Sequence, residues 1–322
     1  MIMPPRLKFA ALPTPIEEIP RLSQALHGPR ILVKRDDLTG LGLGGNKTRK
    51  LEFLLAEAMA NGAHTLITTG AVQSNHCRQT AAAAALFGLD CILVLAGERP
   101  ETISGNLLLD HLFGAEILWT TRPQREQVLQ AAFNQAWEQG RRPYLVPYGG
   151  SSPTGAAAYA FAIQELVGQT TAFDWLVFAS SSGGTQAGLV VGARIFGFPA
   201  RILGISVDEP QHNLQARVAE IATATTDFLG EPQQFSPSDI LVNADYLGAG
   251  YGILGEPEIE AIHLFARQAG LLLDPVYTGR AAAGLIDLIR KGFFRSEETI
   301  LFLNTGGAPA LFADKYKQLG TL

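Results

Sequence analysis

The sequence predicts an α/β protein built from parallel βαβ units, and three observations lead there. Short β-branched apolar runs alternate with amphipathic or alanine-rich stretches from Ile31 almost to the C-terminus, the pattern of strands buried on both faces between helices. Most of the helical stretches close on a glycine, the residue that best accepts a left-handed cap. No internal repeat, low-complexity tract or long linker interrupts the alternation.

Taken in order, the strands are ILVKR (31–35), TLITT (65–69), CILVL (91–95), EILWT (116–120), PYLVP (143–147), WLVFAS (175–180), ILGISV (202–207) and TILFLN (299–304). The helices between them are LEFLLAEAMANG (51–62), RQTAAAAALFG (78–88), NLLLDHLFG (106–114), REQVLQAAFNQAWEQG (125–140), AYAFAIQELVG (158–168), TQAGLVVGARIFG (185–197) and PEIEAIHLFARQAG (257–270). The Pro/Gly/Ser patch PYGGSSPTG (147–155) is the best internal seam.

Bulk composition narrows the function. The 322 residues are 47% hydrophobic and 17% charged with a net charge of -5, which describes a globular chain of one or two domains. A mildly acidic chain with no block of Lys/Arg lacks the concentrated basic face that nucleic acid requires, so a small molecule is the expected partner. The N-terminal MIMPPRLKFAALPTPIEEIP carries prolines and charges where a signal peptide needs an apolar core, and no apolar run is long enough to span a bilayer. The expectation is a cytoplasmic protein without a membrane partner. Cys77 and Cys91 are the only cysteines, and the six histidines fall at no metal-ligand spacing. Neither a disulfide framework nor a protein-ligated metal is expected.

Ligands of open parallel sheets bind at the carboxyl ends of the strands. Three loops there are rich in glycine and in hydroxyl or amide side chains: TGAVQSNH (69–76), ASSSGGTQAG (179–188) and NTGGAPA (304–310). The second is the best phosphate cradle, because Ser, Thr and consecutive glycines at a helix start form a backbone nest without any lysine. A fourth glycine-rich stretch, GLGLGGNKTRK (40–50), contains G-x-G-x-x-G and nearly a Walker motif. The dinucleotide reading fails because the next strand, TLITTG, ends without the carboxylate that would hold a ribose. The nucleotide-triphosphate reading fails because Asn46 separates the last glycine from the lysine. What remains is Lys47 in the first turn of a helix, the end where a surface cation is electrostatically unfavourable.

Six segments now carry a resemblance: KRDDLTGLGLGGNKTRKLE (34–52), GAVQSNHCRQ (70–79), SSGGTQAG (181–188), GAGYG (248–252), LDPVYTG (273–279) and NTGGAPAL (304–311). In order and approximate spacing the chain resembles the aminocyclopropane-carboxylate deaminase / D-cysteine desulfhydrase family of pyridoxal-phosphate enzymes, tryptophan-synthase-β-like and of fold type II, over essentially its whole length. The resemblance implies two open, twisted, mostly parallel sheets with flanking helices. It also implies a large cofactor-binding domain from residues 1–50 and 160–322, a smaller inserted domain from 51–159, and a homodimer.

It implies residue roles as well. Lys47 condenses with the aldehyde of pyridoxal 5'-phosphate, which fits a lysine whose helix N-terminus and dry pocket lower its pKa. Ser182, Gly183, Gly184 and Thr185 hold the phosphate, and Lys50 adds charge to it. Asn75 hydrogen-bonds the ring hydroxyl, Gln73 and Ser74 meet the substrate carboxylate, and Ser74 is a candidate to move the α-proton. Thr305 faces the pyridine nitrogen, and Tyr277 and Tyr251 flank the reacting centre. Family members that open the cyclopropane ring carry Glu and Leu where this chain has Thr278 and Thr305. The departure favours β-elimination of sulfide from D-cysteine, with the cyclic substrate or another β-substituted amino acid such as L-cysteate as alternatives, and makes Thr278 a substrate-side residue. Two other classes fit less well. An exported solute-binding protein lacks its signal and has no use for Lys47, and a nucleotide switch lacks an apolar strand ending in Asp after the lysine motif.

Overall fold

The computed structural model describes residues 1–169 and 172–320. Among the described residues ten strands form two sheets and ten α-helices flank them. The larger sheet runs β1-β2-β10-β7-β8-β9, comprising β1 (Ile16–Glu18), β2 (Arg30–Arg35), β7 (Trp175–Ser180), β8 (Arg201–Ser206), β9 (Leu241–Asn243) and β10 (Thr299–Asn304). All its pairings are parallel except β1 on β2. The smaller sheet runs β5-β4-β3-β6 and is parallel throughout, from β3 (Thr65–Ala71), β4 (Asp90–Ala96), β5 (Glu116–Thr120) and β6 (Pro143–Leu145).

Both sheets are covered on both faces, which is why their strands read as unbroken apolar runs. In β10, Leu301 and Leu303 pack with α6 (Pro153–Gly168), α7 (Gly184–Phe196) and α8 (Gln211–Phe228). Ile300 and Phe302 point the other way, into a core with α1 (Pro20–Ala25), α9 (Glu256–Ala269) and α10 (Thr278–Arg290). The small sheet repeats the plan. Leu66 of β3 packs with α2 (Asn46–Ala60), α3 (Asn75–Phe87) and α4 (Gly105–Leu112), while Ile67 faces α5 (Arg125–Glu138). Each fully buried Leu, Ile or Phe contributes about 1.5–3 kcal/mol.

The eight strands read from the sequence are present. PYLVP is shorter than expected, ending at Leu145, because Pro147 has no N–H to continue the ladder and Val146 donates only to the Ile67 carbonyl (2.9 Å). Strands β1 and β9, three residues each, and helices α1, α8 and α10 were not read from the sequence. Among the described residues no helix is long and apolar enough to cross a membrane.

Candidate active site

The lysine loop is assembled by backbone geometry. Gly44 has φ +69°, and a Cβ there would lie 1.9 Å from the Asp37 carbonyl oxygen, so only glycine fits. The Thr39 hydroxyl accepts from the Gly45 N–H and donates to the Gly45 carbonyl, both at 2.8 Å. The Asn46 amide donates to the Thr305 carbonyl (3.0 Å), fixing the start of α2 to the loop after β10. Lys47 is thereby held at the helix start, half-buried. Its Nζ donates to Asn46 Oδ1 (3.0 Å) and lies 5.8 Å from the centre of the Tyr277 ring. Burial pushes its pKa down to about 8 against the pull of the Asp274 carboxylate, and the Arg78 charge adds to the depression. At pH 7 roughly a tenth of such an amine is unprotonated and nucleophilic.

Behind the lysine a buried charge network braces α2. Arg49 donates to Asp36 (2.9 and 2.8 Å), to both oxygens of Glu165 (2.9 Å each) and to Thr14 Oγ1 (3.0 Å). Lys34 donates to Glu165 (2.5 Å), and Tyr159 to Asp36 (2.7 Å) and to the Asn46 carbonyl (3.4 Å).

Three strand-end loops meet at Lys47. After β7, Ser180–Gly183 turns into α7 through Gly183 at φ +88°, and Ser182, Gly183 and Thr185 line the cavity. Thr185 Oγ1 accepts from Asn46 Nδ2 (3.2 Å), and the Gly184 amide donates to Ser151 Oγ (3.1 Å), which itself donates to Ser182 Oγ (2.8 Å). Lys50 is fully buried with its ammonium on the Gly149 carbonyl (3.0 Å). Burial and the neighbouring Lys47 charge hold its pKa well below normal. A buried amine with one acceptor, next to a helix start rich in N–H donors, fits an anion, whose charge would favour the protonated amine.

After β3, Ser74 caps α3 by accepting from the Cys77 amide (3.2 Å). Asn75 Oδ1 accepts from Asn106 Nδ2 (2.8 Å), which orients the Asn75 amide. His76 also lines the cavity. Thr68 Oγ1 sits 2.8 Å from His76 Nε2 and gives its proton to the Val146 carbonyl (2.8 Å). The Thr68 oxygen therefore accepts from Nε2–H, leaving His76 Nδ1 a buried acceptor without a partner. Burial and the Lys47 and Lys50 charges hold this imidazole neutral, its pKa well below 6.5.

On the far wall the Tyr277 and Tyr251 hydroxyls share a 2.6 Å hydrogen bond. Asp274, fully buried, accepts from the amides of Val276 (3.2 Å), Tyr277 (3.1 Å) and Thr278 (2.6 Å) and so sets the turn into α10. Burial raises its pKa in spite of these bonds.

Of the residues singled out in the sequence, the structure brings Lys47, Ser74, Asn75, Ser182, Gly183, Thr185, Tyr277 and Thr305 into one cavity. Lys50 and Gly184 stand directly behind it. Gln73 and Tyr251 line the adjoining cavity instead. The Gln73 side chain is held by the Ser104 carbonyl (2.9 Å) and the Asn106 amide (2.7 Å), so only its backbone is free for a carboxylate. Thr278 is not brought in. Its hydroxyl donates to Asp274 Oδ1 (2.8 Å) and accepts from the Asp274 amide (2.7 Å), because the first residue of α10 is the nearest donor to that buried carboxylate. Sequence reasoning missed Asn46, His76, Tyr148 and Asp274. The last lies inside LDPVYTG, where an Asp four residues before a helix-starting Thr was the available signal.

A cleft between two mostly parallel sheets holds an amine of lowered pKa beside a cradle that fits an anion. The chain belongs to the pyridoxal-phosphate dependent enzyme family, which it matches over residues 7–306, and pyridoxal phosphate is its cofactor. A D-cysteine desulfhydrase of Salmonella choleraesuis (strain SC-B67) is 43% identical over 318 residues, 96% of each chain. A solved structure described as an ACC deaminase homologue superposes with TM-score 0.89 at 39% identity, covering 98% of this chain and 96% of that one. A hydrogen sulfide-producing enzyme from Fusobacterium nucleatum shares the fold, with TM-score 0.65 at 16% identity over 94% of this chain and 96% of its own.

Proposed function

We propose that the chain is a carbon–sulfur lyase that eliminates hydrogen sulfide from D-cysteine and releases an enamine, which one water then hydrolyses to pyruvate and ammonia. The observation that carries this reading is chemical. Among the described residues no carboxylate lines the cavity around Lys47; its side chains there are amine, hydroxyl, amide and imidazole. A thiolate is a ready leaving group that needs only a proton, which a hydroxyl can give, whereas a cyclopropane has no leaving group and its opening draws on a nucleophile or a carboxylate at the ring carbons. The ring-opening reading retains one argument, the 39% identity to an ACC deaminase homologue.

Lys47, through its unprotonated fraction, would hold the cofactor by its aldehyde. Ser182, Gly183, Gly184 and Thr185 would hold the phosphate with Lys50 behind them, Asn75, oriented by Asn106, would meet the ring hydroxyl, and Thr305 would serve the ring nitrogen. When bound, pyridoxal phosphate supplies an electron sink for the pair left on the α-carbon. The α3 N-terminus, with the backbone of Gln73 and Ser74, receives the substrate carboxylate. Ser74 or the Lys47 amine takes the α-proton, and Tyr277, its hydroxyl tied to Tyr251, protonates the departing sulfur.

The same reading takes residues 1–50 and 160–322 as one unit and 51–159 as another, which the division of the strands between the two sheets supports. It also takes the enzyme as a cytoplasmic homodimer, as the family resemblance suggests. Borohydride reduction followed by peptide mapping tests the lysine, with the pyridoxyl group expected on Lys47; labelling on Lys50 or Lys34 sinks the assignment. D-cysteine and aminocyclopropane-carboxylate, fed separately, are expected to give pyruvate with sulfide and no α-ketobutyrate, respectively. Substantial α-ketobutyrate makes the deaminase reading the better one.

A further inference from the structure

A second cavity, of about 650 Å³, adjoins the lysine cavity across the Tyr251–Tyr277 pair. Segments carried by both sheets line it: the loop after β4, Arg122 before α5, the Tyr251–Gly252 turn and the C-terminal stretch 313–316. It is closed at one side where the Asp314 amide donates to Ser104 Oγ (3.1 Å) and at another where the Tyr316 hydroxyl donates to the Gly252 carbonyl (3.0 Å).

The cavity carries exposed charges of both signs. Arg122 and Lys315 line it together with Glu98, Glu101 and Asp314. Among the described residues none of these five side chains makes an ion pair within 4.0 Å, although seventeen such pairs are found elsewhere. The Arg122 guanidinium lies 5.7 Å from the centre of the Tyr251 ring, at the end of the cavity next to the site. Opposite charges around one cavity, not spent on each other, complement a ligand that carries both signs. A simple anion would leave the three carboxylates opposed, and a simple cation would leave Arg122 and Lys315 opposed.

We propose that this vestibule is a pre-binding site for the amino-acid zwitterion, Arg122 and Lys315 taking its carboxylate and the facing carboxylates its ammonium, before the molecule passes the tyrosine pair. The proposal rests on the reading of the chain as an amino-acid lyase. A guanidinium presents the planar fork that matches a carboxylate, so Arg122 is the primary contact. Lys315 is in range to act with it: burial lowers its pKa and the nearby Arg122 charge adds to the shift.

The test uses the holoenzyme and N,N-dimethylglycine, a zwitterion without the primary amine needed to condense with an aldehyde. Calorimetry should detect saturable binding with no change in cofactor absorbance. Arg122→Gln should weaken that binding and raise KM by about fivefold, the upper range for one exposed charge pair, with kcat held within about twofold; Arg122→Lys should recover part of the loss. Unaltered affinity in Arg122→Gln overturns the proposal. So does acetate binding as tightly as dimethylglycine, which reduces the vestibule to an anion site, and so does a shift in cofactor absorbance, which puts the probe in the lysine cavity. Binding needs no turnover, so a failure of D-cysteine to react leaves this outcome readable.

Discussion

Two buried arginines flank the lysine loop and are treated in opposite ways. Arg49, on the large-sheet side, spends all three guanidinium nitrogens on Asp36, Glu165 and Thr14. Arg78, on α3 of the small-sheet side, is as deeply buried but makes one bond, from Nη2 to the Gly44 carbonyl (2.8 Å), leaving Nε and Nη1 without partners. The carboxylate that acts most on it, Asp110, has both oxygens unpartnered and a pKa that burial raises to about 8 against the pull of Arg78. One wall of the cleft is therefore a closed ionic lattice, and the other carries polar groups whose bonds are not all made. The lattice fixes the backbone from which Lys47 projects, while the second wall carries Ser74 and Asn75, the groups that meet substrate and cofactor ring in the proposed reaction.

The largest expected effect breaks this comparison directly. Arg49→Met leaves Asp36 and Glu165 short of a partner and should cost about 3–5 kcal/mol, the usual consequence of removing half of a buried pair. Arg78→Met removes a poorly paired charge, and Asp110, neutral below pH 8, is left with no net charge to compensate. Its cost should stay under about 2 kcal/mol, mostly the lost bond to Gly44. Urea unfolding of both holoenzymes measures the difference; equal losses would mean the two walls are equally braced.

Much of this was legible in the sequence, and the limits have a physical cause. Strands buried on both faces announce themselves as β-branched runs, and glycine-rich strand ends announce the loops that converge on Lys47. The three-residue β1 and β9 are too short for any periodicity. Helix α8, QHNLQARVAEIATATTDF, buries only six residues, among them two threonines, so its apolar stripe is faint. The lattice was invisible because it joins distant segments: Lys34 and Glu165 lie 131 residues apart, Asp36 and Tyr159 123. Read singly, each charge passes for a solvated one. The bonds of Thr278 were hidden for a related reason, since which way a helix-start hydroxyl turns depends on the buried Asp274 beside it.

On the open wall, Ser74→Ala should lower kcat by about 10²-fold or more, the scale of a lost acid–base group, while costing only about 1 kcal/mol of stability as a removed helix cap. Tyr277→Phe should match the kinetic loss with cofactor retained. Near-normal turnover in both variants would make them pocket lining.

A tenfold effect links the two walls through pH. Because Lys47 reacts as the free amine and its pKa is about 8, reconstitution of the apoenzyme with pyridoxal phosphate should accelerate about tenfold from pH 6 to pH 7 and level off above about 8. The Arg78 charge contributes to that depression, so Arg78→Met should move the break to higher pH. A rate independent of pH over this range would mean another step or another group controls loading.

The smallest effect is expected at Thr278, and it separates a structural hydroxyl from a substrate contact. The side chain is fully buried and closes a two-way hydrogen-bond exchange with Asp274. Thr278→Ser keeps that exchange and removes one buried methyl group, so stability should fall by about 1 kcal/mol and kcat by less than about twofold. Thr278→Glu is a different matter: it sets a second carboxylate against one whose pKa burial already raises. Together with Thr305→Leu it installs the pair that the ring-opening family members carry, but the geometry predicts loss of the turn that positions Tyr277, and with it loss of turnover on either substrate. Parallel assays of unfolding and of both substrates decide the matter. A Thr278→Ser enzyme of normal stability with turnover reduced tenfold or more would return Thr278 to the substrate side of the site.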